Sequence, residues 1–321
     1  MTPSAAAPTR RAAQLAPKRP RARNTVRGNP RRKLGATIGI YAGLVVFAFW
    51  ILFPLVFTVA SSFSTPAEIG AKPYAWIPKH VTLQNYSAIF TGNDNPFGQS
   101  TGGGFAGSTG SVSTIMPAIG QSLLVAALLV VTNLVVGGLA GYSFSRYYFR
   151  GSRAAFAWLL LSRIVPPITL ITAFFEVFNK LHVFNTPWAL VISYNVFTLP
   201  LCVWLLKSYF DGVPREVEDA ARTDGAGRIR MLWMVVVPLA KPGLIAAGLL
   251  VFLESWSEFF YSLVLTNELT VPPVIVSLQG LQQFSWTLLA AAIMISLIPP
   301  MIIAFGFQRY LVSGLARGSV Q

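Results

Sequence analysis

Six long apolar runs dominate this sequence. They cover approximately residues 34–60, 117–144, 154–178, 187–207, 241–265 and 286–308. A helix needs about 20 apolar residues to cross a hydrocarbon core about 30 Å thick. A helix also satisfies its own backbone hydrogen bonds, as that environment requires. We therefore predict an all-α membrane protein with six transmembrane helices.

The composition supports a membrane protein and disfavours a nucleic-acid-binding one. The chain is 54% hydrophobic and 11% charged, whereas about 25% of residues are charged in an average soluble domain. The net charge is +14, but ten of the 25 Lys and Arg residues precede Leu34. No basic stripe alternates with aromatic residues, as base stacking would require. We therefore expect no nucleic-acid partner.

The distribution of basic residues predicts the orientation in the membrane. If the N terminus is cytoplasmic, 21 of the 25 Lys and Arg residues fall on the cytoplasmic side and three fall outside. The remaining one, Arg163, lies within the third run. Basic residues are retained on the cytoplasmic side of membrane proteins. Both termini and the polar segment 208–240 are therefore predicted to be cytoplasmic.

The first third of the chain holds three segments of different character. Residues 1–33 are rich in Ala, Pro, Arg and Lys and are predicted to form a disordered basic tail close to membrane lipid. Residues 34–60 are predicted to be the first transmembrane helix, because they are too long for the apolar part of a signal peptide. A cleaved signal peptide is the alternative. Residues 61–114 are predicted to be an external loop, with a flexible Gly/Ser-rich insertion at 92–114.

A charged segment separates the fourth and fifth apolar runs. Five of the eleven acidic residues lie between Asp211 and Asp224. Pro214 suits the first turn of a helix, acidic residues suit its opening turns, and Gly225 suits its end. We predict a short amphipathic helix here. Its pairs Arg215–Asp219 and Glu218–Arg222 have the spacing of surface ion pairs, and its apolar stripe consists of Val217, Ala220 and Ala221.

This segment resembles the cytoplasmic loop of bacterial ABC-importer permeases. That loop reads Glu-Ala-Ala, three residues, Gly, nine residues, Ile, one residue, Leu-Pro. Here Asp219-Ala220-Ala221 is followed at the same spacing by Gly225, Val235, Val237 and Pro238. The departures are Asp for Glu, Val for Ile and Val for Leu. The wider string 218–227 is similar to the carbohydrate branch of the family, of the maltose-permease type.

The resemblance covers most of residues 34–321 and implies the type I ABC importer permease fold. It implies a five-helix core over 115–310 in which the coupling loop 208–240 docks on an ATP-hydrolysing subunit. The alternative is a merely solvated loop between helices. The residues to which the resemblance assigns ATPase coupling are Glu218, Asp219, Ala220, Ala221, Asp224, Gly225 and Pro238.

The same resemblance implies the activity and the partners. The chain would be a permease subunit in the bacterial cytoplasmic membrane that moves a sugar or related solute by alternating access. It would assemble with an ABC ATPase dimer, a second, related permease and an extracytoplasmic solute-binding protein. The sequence has no phosphate-binding Walker motif and no catalytic or metal-binding cluster. We therefore expect ATP and magnesium to bind to the partner ATPase, and this chain to be a transport subunit and not an enzyme.

Two further groups of residues are candidates for function. Glu254, Trp256 and Glu258 lie in a segment similar to the family's Trp-x-Glu-Phe, which implies a position near the translocation pathway. Trp256 is a candidate for stacking on a sugar, with simple packing as the alternative. Arg163 is a functional candidate because a charge inside a membrane is costly, and an ion pair within the bundle is the alternative.

The C-terminal end provides the second group. The tail 311–321 resembles a cytoplasmic segment that reaches the ATPase, which implies contacts for Gln308, Arg309 and Gly314; a frayed terminus is the alternative. Two other functions remain open from the residues alone. An ion-coupled secondary transporter would have to use Glu254, Glu258 and Arg163 as its ion site. A membrane scaffold or enzyme would leave the charged segment unexplained.

Overall fold

The computed structural model of the protein describes residues 30–72, 76–93, 111–279 and 285–318. Side chains are described over 37–72, 76–93, 111–279 and 285–310. Within these ranges the structure is helical and contains no strand. The predicted basic tail 1–33 and the insertion 92–114 lie largely outside the described residues.

Fifteen α-helices are described over these ranges, joined by turns and short 3-10 or π segments. In chain order they are α1 (Pro30–Ser62), α2 (Pro66–Gly70), α3 (Gln84–Thr91), α4 (Ile115–Thr132), α5 (Gly138–Arg146), α6 (Ser152–Leu161), α7 (Pro167–Lys180), α8 (Pro187–Asp211), α9 (Arg215–Thr223), α10 (Arg228–Met231), α11 (Val237–Leu239), α12 (Lys241–Trp256), α13 (Phe260–Leu265), α14 (Val271–Leu278) and α15 (Trp286–Gly318).

The chain divides into two units, one ending at Pro54 and the other beginning at Leu55. In the first unit, the described side chains of α1 from residue 37 onward are exposed and mostly apolar. Such a surface suits contact with hydrocarbon. The second unit contains the remaining helices and both candidate functional regions.

The lengths of the apolar helices agree with the six-span prediction. Four segments are each long and apolar enough to cross a membrane, and two bent helix pairs bring the number to six if each pair is one span. The third predicted span bends by 96° between α6 and α7, at Pro166-Pro167. Proline removes a backbone donor and disfavours the helical conformation of the preceding residue. The second bent pair joins residues 228–239 to α12 at 81°, so this candidate span begins and ends earlier than the predicted fifth span 241–265. Within that predicted span, α12 ends at Trp256 and α13 begins at Phe260.

The core of the second unit is formed by α4, α5, α8, α12 and α15. Helices α5 and α8 pack closely at Gly141 of α5. A Cβ atom added there would lie only 3.1 Å from the amide nitrogen of Lys207 in α8. A π-helical turn, Asn133–Gly137, joins α4 to α5. There the buried Asn133 amide donates to the side chains of Asn195 and Thr198 on α8, each at 3.0 Å. These contacts hold the α4–α5 junction against the middle of α8, and the Gly141 contact holds α5 against α8 closer to the charged segment.

Candidate functional site: the α9 segment and a broken-helix cavity

The charged segment folds as predicted into a short helix. Helix α9 has nine residues and begins directly after Pro214, which lies just outside it. Gly225 follows the helix with a φ of +83°, a conformation that residues with a Cβ atom rarely adopt. Both boundaries of α9 therefore follow from local backbone preferences.

The inward side of α9 is fixed by a buried carboxylate. Glu218 is only 2% exposed, and the Arg146 Nε atom donates to its Oε1 atom at 2.5 Å. The Tyr142 hydroxyl donates to Oε2 at 3.0 Å. Arg146 also donates through Nη2 to the Val213 carbonyl at 2.9 Å. One guanidinium at the end of α5 therefore binds both α9 and the turn before it.

A second set of polar contacts joins this pair to α8. The Ser145 hydroxyl donates to Asp211 Oδ1 at 2.6 Å, and Lys207 Nζ lies 2.6 Å from Asp211 Oδ2. Arg146 Nη1 donates to the Ser145 hydroxyl at 3.2 Å. The ends of α5 and α8 and the start of α9 are thus connected by one network of charged and hydroxyl groups.

The observed pairing differs from the pairing expected along α9. Glu218 faces Arg146 and not Arg222, which instead lies 3.1 Å from Asp219. The Arg215 guanidinium lies over the Tyr148 ring, 6.0 Å from its centroid. Val217, Asp219 and Ala220 of α9 are exposed, whereas Ala221 is half-buried. Asp224 and Gly225, which follow the helix, are also exposed. Pro238, in α11, is also exposed.

The predicted pathway residues separate into two environments. Arg163 forms an ion pair with Glu254, and both side chains remain about one-third exposed or more. Glu258 accepts hydrogen bonds from the backbone amides of Tyr261 and Ser262 at the start of α13. Trp256 is 8% exposed and stacks on Phe252 with 5.5 Å between ring centroids. The structure therefore gives Trp256 a packing contact in the core.

A cavity of about 290 Å³ lies beside the break between α12 and α13. Glu254 and Glu258 both line it, as do Ser255 and Ser257. The start of α7 and the middle of α8 form its other sides through Pro167 and Thr198, among others. A cavity at a broken helix is a typical location of a binding site in a membrane bundle.

Comparison with known proteins identifies the family. The family model described as the inner membrane component of binding-protein-dependent transport systems matches residues 133–317. The chain belongs to this family. It is a permease subunit, a membrane-spanning component of an ABC importer.

Two curated relatives cover almost the whole permease. It is 32% identical over 297 residues to the sulfoquinovosyl glycerol transport system permease protein SmoH of Agrobacterium fabrum, covering 92% of this chain and 94% of that protein. It is 31% identical over 296 residues to the trehalose/maltose transport system permease protein MalG of Thermococcus litoralis, covering 91% and 99%.

The fold matches a solved transporter. A bacterial ABC transporter involved in import of the acidic polysaccharide alginate aligns with a TM-score of 0.67 and 22% identity, covering 88% of this chain and 98% of that one. This likeness shows that the permease has the type I importer fold.

Three residues of the α9 network are not identified by the sequence. Arg146 enters the sequence argument only as a cytoplasmic charge, and no motif distinguishes Tyr142 or Ser145. One clue to this network is Glu218, because a carboxylate that becomes buried in a helix bundle requires a cation or several hydrogen-bond donors. Its spacing to Arg222 offers a nearer partner, and the sequence does not favour the distant one.

The C-terminal candidates lie in α15. Gln308 and Arg309 are exposed, and the Arg309 guanidinium lies 4.7 Å from the centroid of the Tyr310 ring. Gly314 lies where the structure describes the backbone alone. Their contact with an ATPase stays a prediction.

Proposed function

We propose that this permease imports a sugar or a related hydroxylated solute, and that α9 transmits the movement of a separate ATPase to the membrane helices. The observation that carries the coupling role is the two-sided character of α9. Its inward side is bound through Glu218 to Arg146. Its other side exposes Val217 and Ala220 together with charged residues.

The proposed transmission follows from the strength of the inward contact. The Arg146 and Glu218 side chains are 6% and 3% exposed, so water screens their attraction very little. Separating such a pair would leave a buried uncompensated charge, at a cost of about 3–5 kcal/mol. A force applied to α9 is therefore expected to move the ends of α5 and α8 with it and not to detach α9. Rotation of these helices would then alternate access to the pathway.

In the proposed assembly, separate subunits hydrolyse ATP, deliver the solute and form the membrane pathway. ATP and magnesium would bind to a dimer of ABC ATPases on the cytoplasmic side, where the N and C termini of the permease would also lie. A second, related permease would complete a heterodimer in the bacterial cytoplasmic membrane, and an extracytoplasmic binding protein would deliver the solute. The cytoplasmic excess of Lys and Arg supports the orientation. The names of the two relatives, which specify sulfoquinovosyl glycerol and trehalose/maltose, support the solute class.

Co-purification with the cognate ATPase in mild detergent tests the coupling role. Gly225→Asp places a charge on the exposed turn after α9, and Ala221→Arg places charge and bulk at a half-buried position of α9. Both variants should abolish ATPase retention or ATP-driven uptake. Gly151→Asp is the matched control, because Gly151 has a similar φ of +87° and a Cβ atom added at either glycine would meet no atom within 4 Å. Backbone strain is therefore comparable in the two glycine variants.

The outcomes are distinct. Loss of coupling in the α9 variants, with normal coupling in Gly151→Asp, supports the proposal. If both α9 variants retain the ATPase and ATP-driven uptake, α9 is a solvated connector. Uptake should also survive a protonophore and fail without ATP, the reverse of what an ion-coupled transporter requires.

A further inference from the structure

A second cavity, of about 720 Å³, lies beside the start of α9. The end of α5, the start of α6 and the end of α8 form its other sides. Its volume lies within the range of about 300–1,000 Å³ that is typical of small-molecule sites. Because four basic side chains line it, we call it the basic cavity; they are Arg146, Arg153, Lys207 and Arg215.

Two of these four cations are available to a ligand. Arg146 and Lys207 each lie against a carboxylate of the α9 network. In the part of the chain whose side chains are described, neither Arg153 nor Arg215 forms an ion pair, and both are exposed. Arg215 lies over the Tyr148 ring, a contact that uses the face of the guanidinium and leaves its N–H groups free to donate to a phosphate.

The acidic residues of the basic cavity only partly offset these cations. Asp211 and Glu216 line it, and Asp211 is paired with Lys207. Glu216 has no ion pair among the described residues. Two unpaired cations therefore face one unpaired carboxylate, so the basic cavity favours an anionic ligand and Glu216 weakens that preference.

The surface around the basic cavity is apolar and aromatic. Phe144 and Phe156 line the cavity itself, and the Tyr148 side chain is 88% exposed. Further along α6, Trp158 and Leu161 are also exposed. Aromatic side chains concentrate where a membrane meets water, and exposed apolar side chains suit contact with acyl chains. A small soluble anion would gain nothing from this surface, whereas a phospholipid would use both the cations and the apolar face.

We infer that the basic cavity binds the headgroup of an anionic phospholipid from the membrane leaflet on the α9 side. Arg153 and Arg215 would donate to its phosphate oxygens, and its acyl chains would lie along the exposed apolar residues of α6. Basic pockets between membrane helices on the cytoplasmic side bind headgroups of this kind. The bound phosphate would connect α6 to α9. The inference takes only the cytoplasmic location of α9 from the proposed function and adds a lipid site to it.

Native mass spectrometry tests the site on the complete transporter after delipidation in detergent. The transporter is titrated with phosphatidylglycerol, which is anionic, and with zwitterionic phosphatidylethanolamine of the same acyl chains. We expect the wild type to bind phosphatidylglycerol about five-fold or more tightly. Arg153→Gln and Arg215→Gln should each weaken phosphatidylglycerol binding about five-fold, because each removes one basic residue from beside the headgroup.

Arg150→Gln is the matched control. Arg150 is an exposed arginine in the same turn between α5 and α6, but it does not line the basic cavity. Its replacement removes the same charge and should leave phosphatidylglycerol binding within about two-fold of the wild type. Because all three arginines are exposed, thermal stability should change little in these variants, which separates lost binding from lost folding.

Glu216→Gln gives a change of opposite sign. It removes the unpaired carboxylate from the basic cavity, so phosphatidylglycerol should bind about two-fold to five-fold more tightly, with little change for phosphatidylethanolamine. Equal binding of the two lipids by the wild type overturns the inference. So does an effect of Arg150→Gln as large as those of Arg153→Gln and Arg215→Gln, or no effect of any of the three.

Competition with glycerol phosphate distinguishes a lipid from a soluble phosphate ester. This probe has the phosphate group without acyl chains, so at matched concentration it should leave the phosphatidylglycerol adduct in place. Displacement of that adduct would assign the basic cavity to soluble phosphate esters and overturn the lipid assignment. The titrations need neither ATP nor a transported solute, so their failure is distinguishable from failure of the coupling experiment on Gly225 and Ala221.

Discussion

Replacing Arg146 with Met should detach α9 from the membrane core. The substitution keeps an unbranched apolar side chain but removes the cation that faces Glu218, together with the donor to the Val213 carbonyl. Among the described residues, the Tyr142 hydroxyl would then be the one side-chain donor left to the buried Glu218 carboxylate. Removing one partner of a buried ion pair costs about 3–5 kcal/mol. A nine-residue helix is too short to be stable alone, so we expect the loss to appear as local opening of α9.

Hydrogen exchange of the α9 amides measures this loss directly. A change of about 3 kcal/mol in the opening free energy corresponds to a decrease in protection of about two orders of magnitude. Glu218→Gln combined with Arg146→Met should recover part of the protection, because no unpaired charge then remains. ATP-driven uptake should fall in the single variant, since a detached α9 cannot transmit movement.

Lys207→Met is the matched control for the same assay. It breaks the Lys207–Asp211 pair, whose side chains are 28% and 39% exposed, and exposed pairs contribute at most about 1 kcal/mol. Its effect on α9 protection should therefore be small. If Arg146→Met leaves the exchange of residues 215–223 unchanged, the buried pair does not hold α9, and the transmission mechanism loses its physical basis.

Two further substitutions test how the core supports these sites. Gly141→Leu should destabilise the permease by about 1–3 kcal/mol, because its side chain must enter the close contact between α5 and α8; Gly120→Leu, where an added Cβ atom would meet nothing within 4 Å, is the control in thermal unfolding. Trp256→Leu should lower thermal stability by removing the stacking contact with Phe252, while ATP-driven uptake by the folded transporter is retained. Selective loss of uptake at normal stability would instead assign Trp256 to the solute pathway.

The sequence determined the features that depend on short-range chemistry. Apolar runs of about 20 residues predicted the membrane spans, because the thickness of the hydrocarbon core sets the length of a crossing helix. Pro214 and Gly225 predicted the limits of α9, because each restricts or extends its own backbone angles. The loop spacing from Asp219 to Pro238 predicted the family, which the match over residues 133–317 shows.

The tertiary structure decided which distant groups meet. Glu218 had a possible partner four residues away, but it binds Arg146, which is 72 residues distant. Glu254 pairs with Arg163 across 91 residues, and Trp256 enters the core and not the cavity. Spacing along one helix limits neighbours on that helix only. The partner of a buried charge depends on which helices pack together and how they are rotated, and those variables are set by the core as a whole.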